Sequence, residues 1–276
     1  MSVHTSLVLS NGVQIPQFGL GVFRINDGAQ VEDAVLHALR HGYRSIDTAS
    51  LYGNESGVGR AIHRSGIPRE DIFVTTKVWN TQQGYKQTLQ AFEESRQRLG
   101  LDYLDLYLVH WPIEQYLYDT WGALEELYKA QKVRAIGVSN FYIHHLELLL
   151  KKCTITPMVN QVELHPLLQL HQLQEYCDSK EIKMEAWAPI MRGKVQRIVL
   201  LKNIGGRYGK TPVQVALRWA LQRGIIVIPK SENPSRIESN ADVFDFTLTE
   251  EEMSAIQALD RGKRLGPHPD NFYSQA

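Results

Sequence analysis

Short apolar runs alternate with longer amphipathic segments along most of this 276-residue chain. In the longer segments apolar residues recur every three or four positions, as in residues 31–41, which is typical of helices with one buried face. Repeated strand-then-helix units favour right-handed crossovers and therefore parallel strands. Eight of the short runs are predicted core strands: residues 18–21, 45–47, 72–77, 104–110, 133–139, 158–161, 182–187 and 225–229.

A hairpin is predicted ahead of the first core strand. Residues 7–9 and 13–15 each contain apolar side chains, and Asn11-Gly12 lies between them. An Asn-Gly pair favours a tight hairpin because both residues adopt positive φ readily. Such a hairpin fits the bottom of a barrel, which it would cap.

The segment before the eighth strand contains an extra helix. We predict a helix over residues 197–208 that stops at Gly209, and Thr211-Pro212 supplies the cap and first position of the next helix. Eight strand-and-helix units with a hairpin and extra helices predict one α/β domain over residues 1–276. The favoured architecture is a (β/α)8 TIM barrel, and a doubly wound open sheet is the alternative.

Polar or aromatic residues follow almost every predicted strand. In a barrel the carboxyl ends of all strands meet at one face, where barrel enzymes bind their substrates. Together these residues predict a polar pocket lined by the loops that follow the strands. They are Asp47, Lys77, His110, Ser139, Asn140, Gln161, Trp187 and Lys230.

Three of these residues form a candidate catalytic group with Tyr52, five positions after Asp47. A phenol with a pKa of about 10 is a weak acid at neutral pH, and we expect the ammonium of Lys77 to lower that pKa. Asp47 holds Lys77 in place, and His110 offers a ring nitrogen to a substrate oxygen. This group suits a carbonyl that becomes an alkoxide as it receives hydride.

Each of the four residues also has a purely structural interpretation. Asp47 suits a cap for the segment that follows it, and Tyr52 suits a buried aromatic. Lys77 suits a solvated strand end. His110 precedes Trp111-Pro112 and therefore also suits a hydrogen-bonded turn histidine.

The composition excludes several other classes of protein. Thirty Lys plus Arg balance thirty Asp plus Glu, and 43% of residues are hydrophobic. These values argue against disorder and against a nucleic-acid-coating protein. The two cysteines lack metal-ligand spacing, and no signal peptide or membrane-spanning run is evident. We therefore expect a cytoplasmic protein with no nucleic-acid or membrane partner and no metal.

At these residues the chain resembles the aldo-keto reductases. The motifs that carry the resemblance are GYRSIDTA at 42–49, LDYLDLYLVHWP at 101–112, VRAIGVSNF at 133–141 and IPKS at 228–231. The likeness covers about residues 9–267 and is greatest to small bacterial members that reduce glyoxal-type and diketo-sugar-acid substrates. It implies a monomer with an NADPH cofactor and a small-molecule carbonyl substrate.

The resemblance also assigns roles to individual residues. It makes Asp47, Tyr52, Lys77 and His110 the catalytic tetrad, with Tyr52 as proton donor. The cofactor contacts that it implies fall into two groups. The nicotinamide contacts are Ser139, Asn140, Gln161 and the stacking ring of Trp187. The contacts to the adenosine 2′-phosphate and adenine are Lys230, Ser231, Arg236 and Asn240.

One departure from the family pattern affects cofactor binding. The family commonly has Ser-Pro-Leu after the seventh strand, whereas Ala188-Pro189-Ile190 stands here. A hydroxyl near the cofactor diphosphate is therefore lost. Backbone N–H groups with Arg192 or Lys194 could replace it.

Aromatic residues near the strand ends suggest a substrate pocket. Phe23, Trp79 and Trp111 all lie at or just beyond a strand end, and His110 is their neighbour. In the tail, Phe272 and Tyr273 either fold over that pocket or are disordered. His37 and His41 share one helix face, but without a Glu after His37 they lack the zinc-peptidase pattern, and we interpret that face as solvated.

Two other functions remain open at this point. A barrel that binds NADP but has a regulatory or structural role would keep the fold with little catalysis, although the intact tetrad argues against it. A metal-assisted lyase would need clustered carboxylates at the strand ends. Only Asp47, Glu163 and Glu185 qualify.

Overall fold

The computed structural model describes residues 2–275, with side chains through residue 272. Its first two strands, β1 (Ser6–Val8) and β2 (Gln14–Pro16), pair antiparallel and confirm the predicted hairpin. Gly12 has a φ of +86° in the turn, but Asn11 does not lie in the left-handed region, so the expected positive φ at Asn11 was wrong. The Asn11 side chain instead donates to the backbone oxygen of Arg134 at 2.9 Å.

Eight parallel strands follow in chain order and form the barrel wall. They are β3 (Leu20–Gly21), β4 (Ser45–Asp47), β5 (Phe73–Val78), β6 (Leu104–Val109), β7 (Val133–Ser139), β8 (Val159–Glu163), β9 (Lys183–Trp187) and β10 (Ile226–Val227). Each predicted strand is present; the bounds of 45–47 and 133–139 match the prediction, and the ends of the others differ by at most two residues.

Contacts between the first and last strands close the barrel. Phe18 pairs with Val227, and Gly21 pairs with Lys230, both in parallel. The chain at Gly21 lies very close to Ile228, since a Cβ on Gly21 would be only 2.8 Å from the backbone oxygen of Ile228. The sequential strand order and this closure confirm the TIM barrel over the open-sheet alternative.

Ten α-helices accompany the strands in the described part of the chain. They are α1 (Ala29–Arg40), α2 (Glu55–Ser65), α3 (Tyr85–Leu99), α4 (Leu117–Lys129), α5 (Ile143–Leu150), α6 (His171–Ser179), α7 (Val199–Tyr208), α8 (Pro212–Gln222), α9 (Pro234–Ala241) and α10 (Glu250–Gln257). A search of residues 2–275 finds no helix with the length and apolar character needed to cross a bilayer.

Local capping explains where the extra helix α7 ends and α8 begins. Gly209 ends α7 with a φ of +66°, a conformation that glycine adopts without strain. The Thr211 hydroxyl accepts from the backbone N–H of Gln214, and the Gln214 side chain accepts from the Thr211 backbone N–H. This capping box, with Pro212 in the first turn, confirms the predicted boundary.

The apolar core lies between the barrel wall and the ring of helices. Val74 and Leu106 on the strands are fully buried, as are Phe92 and Leu124 on the helices. Charged and polar groups are buried too, and several of them lie at the carboxyl ends of the strands. Lys77 is fully buried there, and such a charge requires partners.

Candidate active site

The ends of β4 and β5 bring Asp47 and Lys77 together. The Lys77 ammonium lies 2.7 Å from Oδ1 and 2.8 Å from Oδ2 of Asp47, and it also donates to the backbone oxygen of Thr48 at 2.8 Å. Burial lowers the pKa of Lys77, but the Asp47 carboxylate together with Tyr52 and Glu185 outweighs burial, and the net pKa is raised. Lys77 is therefore a buried cation rather than a solvated strand end.

Tyr52 lies beside this ion pair. It ends a short 3₁₀ helix after β4, where Gly53 turns the chain with a φ of +65°. The Lys77 ammonium is 5.2 Å from the centre of the phenol ring. Burial raises the pKa of Tyr52 to about 12, although Lys77 acts in the opposite direction. The expected net lowering was wrong, because desolvation of the phenolate outweighs attraction to the ammonium.

His110 follows β6 and packs between two aromatic rings. Its ring centre lies 5.9 Å from that of Tyr52 and 5.0 Å from that of Trp79. Burial, with the nearby Lys77 charge, holds the pKa of His110 well below its usual range, so the imidazole is neutral at pH 7. Its Nδ1 is buried without a hydrogen-bond partner. A turn histidine would have its ring satisfied, so this geometry favours a functional ring.

Gln161 is hydrogen-bonded to two buried carboxylates, one of which belongs to the tetrad. Gln161 Nε2 donates to Asp47 Oδ2 at 2.7 Å and to Glu185 Oε2 at 2.8 Å. Burial and the neighbouring Asp47 charge raise the pKa of Glu185 to about 8. Gln161 and Lys77 therefore both hold the Asp47 carboxylate in place. Glu185 supports the tetrad, a role that the sequence analysis did not assign to it.

The predicted nicotinamide contacts form a second connected group. Ser139 Oγ donates to the backbone oxygen of Gln161 at 2.9 Å. Asn140 Nδ2 donates to the backbone oxygen of His110 at 2.9 Å, and Asn140 Oδ1 accepts from Trp187 Nε1 at 2.9 Å. These bonds hold the half-buried indole of Trp187 at the wall of the cleft.

One cleft of about 1000 Å³ runs across the barrel mouth and includes most of the predicted site. All residues named for the cofactor line it, together with Asp47, Tyr52 and the aromatic residues named for the substrate. Lys77 alone lies behind the cleft wall. The lining residues predicted from the sequence are Phe23, Asp47, Tyr52, Trp79, His110, Trp111, Ser139, Asn140, Gln161, Trp187, Lys230, Ser231, Arg236 and Asn240.

The residues predicted to contact the 2′-phosphate and adenine lie at the far end of the cleft. Ser231 and Asn240 are buried there, whereas Arg236 is exposed on the first turn of α9. An acidic residue that the sequence analysis missed lies among them. Glu232 is 3.4 Å from the Lys230 ammonium, and Gln30 on α1 donates to the same carboxylate at 2.8 Å.

The loop after β9 has an unusual backbone. Ala188, Met191 and Arg192 have φ values of +52°, +53° and +54°, and Gly193 has +86°. Non-glycine residues in this region are strained, and such strain clusters where loops bind ligands. Arg192 and Gly193 line the cleft, but Lys194 is not among the residues that do. Of the two cations considered for the diphosphate, only Arg192 is placed for that role.

The segment after α10 returns to the cleft and contacts the predicted stacking residue. A Cβ on Gly266 would lie 2.5 Å from Trp187 Cη2, so only glycine fits. Glu163 fixes this turn by accepting from the backbone N–H groups of Leu265 at 2.6 Å and Gly266 at 3.0 Å. The sequence analysis missed Gly266, since its contact with Trp187 depends on long-range packing.

The aromatic residues named for the substrate surround the tetrad. Phe23 lies 4.9 Å from Tyr52 between ring centres, and Phe272 covers Trp79 and Trp111. Phe272 therefore folds over the pocket, one of the two options open for the tail. The side chain of Tyr273 lies outside the described residues.

The closed barrel and its tyrosine–lysine–aspartate mouth define a class of protein, the barrel oxidoreductases that act on carbonyl groups. The aldo/keto reductase family model matches residues 17–261, and the chain belongs to that family. It is 54% identical over 273 residues to a 9,11-endoperoxide prostaglandin H2 reductase from Trypanosoma cruzi, covering 98% of this chain and 96% of the relative. It is 53% identical over 271 residues to a glyoxal reductase from Bacillus subtilis, with 98% of each chain covered.

A solved structure agrees with the fold. A mutant of Gox0644 in complex with NADPH superimposes with a TM-score of 0.92 at 43% identity, covering 97% of this chain and 98% of that one. The two relatives differ in the substrate that their names state, although their identities to this chain are almost equal. Identity alone therefore does not define the substrate, and the pocket must be considered.

Proposed function

We propose that this aldo/keto reductase reduces small aldehydes and α-dicarbonyl compounds to alcohols with NADPH, as one barrel domain over residues 1–276. The observation that carries the proposal is the Lys77–Asp47 ion pair, buried 5.2 Å from the ring centre of Tyr52. This ion pair places a fixed cation beside a protonated phenol at the mouth of a long cleft.

The cleft fits NADPH along its length. Trp187 offers a flat indole, and the neighbouring Ser139 and Asn140 offer polar groups for the nicotinamide amide. At the far end Lys230 offers a point charge and Arg236 a planar fork, which together suit a phosphate. Bound NADPH supplies the hydride that reaches the carbonyl carbon.

The residues of this chain handle the carbonyl oxygen. Tyr52 donates its phenolic proton as negative charge develops on that oxygen, which its raised pKa permits because the phenol stays protonated at neutral pH. Lys77 stabilises the phenolate that remains, and Asp47 holds Lys77 in position. Neutral His110 donates from its ring to the same oxygen and orients the substrate.

The aromatic side chains around the tetrad favour a small substrate. Phe23, Trp79, Trp111 and Phe272 line the cleft around the tetrad with aromatic rings, and the glyoxal reductase from Bacillus subtilis is a relative at 53% identity. We further propose a monomer in the cytoplasm that binds neither nucleic acid nor membranes. Among the described residues Cys153 and Cys177 are both free thiols, as a reducing compartment favours.

A substrate panel tests this proposal. Purified protein is mixed with NADPH or NADH and with glyoxal, methylglyoxal, aromatic aldehydes, ketoses and keto-acids, and loss of cofactor absorbance is followed. We expect turnover with the small aldehydes and dicarbonyls, and Tyr52→Phe should bind NADPH normally but lose turnover. Cofactor binding without turnover across the panel would favour the regulatory barrel instead.

In the part of the chain that the structure describes, the barrel mouth has no donor cluster of the kind that a metal-assisted lyase needs. The groups of histidine and carboxylate side chains that could hold a metal among the described residues lie elsewhere, and they contain none of Asp47, Glu163 and Glu185. Glu163 is committed to the turn at Gly266. The side chains described at the mouth therefore suit a carbonyl reductase and do not suit a lyase, and the substrate panel separates the reductase from the regulatory barrel.

A further inference from the structure

Two histidines and a glutamate from distant parts of the chain meet on the outer surface. His37 lies on α1 and His41 is the C-cap residue one turn later, with ring centres 4.1 Å apart. Glu238 on α9 reaches across to both, its Oε1 lying 2.9 Å from His37 Nε2 and 3.5 Å from His41 Nε2. The helix face that we interpreted as solvated is therefore shared with a carboxylate from a neighbouring helix.

One hydrogen bond fixes the tautomer of the neutral His41 ring. Its Nδ1 lies 2.8 Å from the backbone oxygen of His37, and a carbonyl oxygen can only accept, so Nδ1 carries the proton. In neutral His41 the lone pair is then on Nε2, which faces a carboxylate oxygen of Glu238. A metal ion between these two atoms would bind both of them. Most metal-binding histidines are also held by a ring N–H that donates to a backbone carbonyl or a carboxylate, as His41 is.

We propose that His37, His41 and Glu238 form a binding site for one divalent transition-metal ion of the Zn²⁺ type. Tetrahedral zinc with ligand bonds of about 2.1 Å has ligand atoms about 3.4 Å apart. The 3.5 Å distance matches that value, the 2.9 Å hydrogen bond would widen by about 0.5 Å when the ion enters, and the three ligand atoms all lie within 4.8 Å of one another. His41 and Glu238 are partly exposed, so water can occupy the fourth position.

A second cluster on the surface is less suited to metal. His144, His145 and Asp270 also group together. However, His145 Nδ1 accepts from the backbone N–H of Tyr142 at 3.1 Å, so the proton of neutral His145 is on Nε2, the nitrogen that faces Asp270. Binding a metal there would break the cap of α5. The α1–α9 cluster has no such conflict.

An ion at the proposed site would join α1 to α9. The same two regions are already linked at the cleft, where Gln30 on α1 bonds Glu232 just before α9. The ion would thus add a second connection on the outer side of this helix pair. The site takes no part in the reduction, and its existence does not depend on the proposed function.

Calorimetric titration of Zn²⁺ into chelator-treated protein without a histidine tag tests the site. His144→Gln serves as the background, because it removes a ligand from the second cluster. We expect one ion per chain in this background. When His41→Gln or Glu238→Gln is added to this background, Zn²⁺ binding should weaken by at least about tenfold. Loss of a residue that only hydrogen-bonds to a metal ligand already has an effect of that size. His4→Gln, an exposed histidine outside both clusters, should leave the affinity unchanged.

Thermal unfolding supplies an independent readout. Zn²⁺ at a hundredfold excess over its dissociation constant should raise the melting temperature of the background protein by about 5 °C. The rise should vanish in His41→Gln, whose melting temperature without metal should match the background. Equal Zn²⁺ affinity with and without His41→Gln, or no binding by the background protein, would overturn the proposal.

Discussion

Phe272 lies flat against Trp111, with ring centres 4.1 Å apart and planes 9° from parallel. The segment from Gly266 to Phe272 crosses the barrel mouth, so this pair forms part of the wall between the tetrad and solvent. Trp79 completes the wall, because its ring meets both Phe272 and His110 edge to face. All three rings line the cleft that an aromatic substrate would enter.

Replacement of Phe272 by alanine should change substrate binding more than chemistry. An aromatic pair is worth about 0.5–1.5 kcal/mol beyond its buried area, so the KM for aromatic aldehydes should rise several-fold. The kcat should change little, because Tyr52 and Lys77 are untouched. Steady-state kinetics with an aromatic aldehyde and with methylglyoxal as the small control separates the two effects. An unchanged KM for the aromatic aldehyde would mean that Phe272 does not contact substrate.

The Lys77–Asp47 pair should control both stability and turnover. Lys77→Met leaves the Asp47 carboxylate buried without its cation, which should destabilise the protein by about 3–5 kcal/mol. Turnover should fall by at least about a hundredfold, the usual contribution of a positioned acid. Urea unfolding and NADPH consumption measure the two quantities on the same preparation.

The double variant Asp47→Asn with Lys77→Met separates these roles. It removes both charges, so most of the lost stability should return while turnover stays low. Recovery of activity along with stability would show that Lys77 acts only through folding.

Glu232 should reduce the preference for NADPH over NADH. Its carboxylate lies 3.4 Å from the Lys230 ammonium, where it competes with the 2′-phosphate for that cation. Glu232→Gln should therefore lower the KM for NADPH about two- to fivefold, as expected for a partly exposed charge pair, and leave the KM for NADH almost unchanged. Glu70→Gln, on the approach to the opposite end of β5, is the matched control. A parallel change for both cofactors would argue against competition at the phosphate.

Much of the site could be predicted because a parallel barrel imposes it. Asp47, Lys77 and His110 each come at the end of an apolar run, and closure of the sheet brings such ends together whatever the loops do. Polarity at the strand ends therefore carried the prediction. The same argument cannot give the pKa of Tyr52, since the burial that raises it depends on the rings packed around it.

Contacts between distant segments are the part that sequence patterns did not reveal. Glu238 meets His37 only because α9 packs beside α1, and Gly266 meets Trp187 only because the chain returns to the mouth after α10. Glu232 lies next to residues that the sequence analysis selected, but its partner Gln30 is 202 positions away. None of these pairs has a periodic or local signature.

Glu185 should make the protein less stable as the pH rises. Burial and the charge of Asp47 raise the pKa of Glu185 from 4.5 to about 8, so between these values the folded state holds a proton that the unfolded state has lost. The contribution of Glu185 to stability is then fully present below about pH 4.5 and declines until about pH 8. Glu185→Gln mimics the protonated form and can still accept from Gln161. The loss of unfolding free energy with rising pH should therefore be smaller in this variant by a few kcal/mol, the order of magnitude that the pKa shift of Glu185 implies.

Urea unfolding of both proteins at several pH values across that range measures the difference directly. At about pH 5 the two free energies of unfolding should be similar, whereas near pH 8 the variant should be the more stable. Glu126→Gln, on an exposed carboxylate of α4 outside the cleft, controls for loss of one negative charge. Parallel pH curves for the parent and Glu185→Gln would mean that Glu185 is already ionised at neutral pH, and that Gln161 then bridges two carboxylates rather than a carboxylate and an acid.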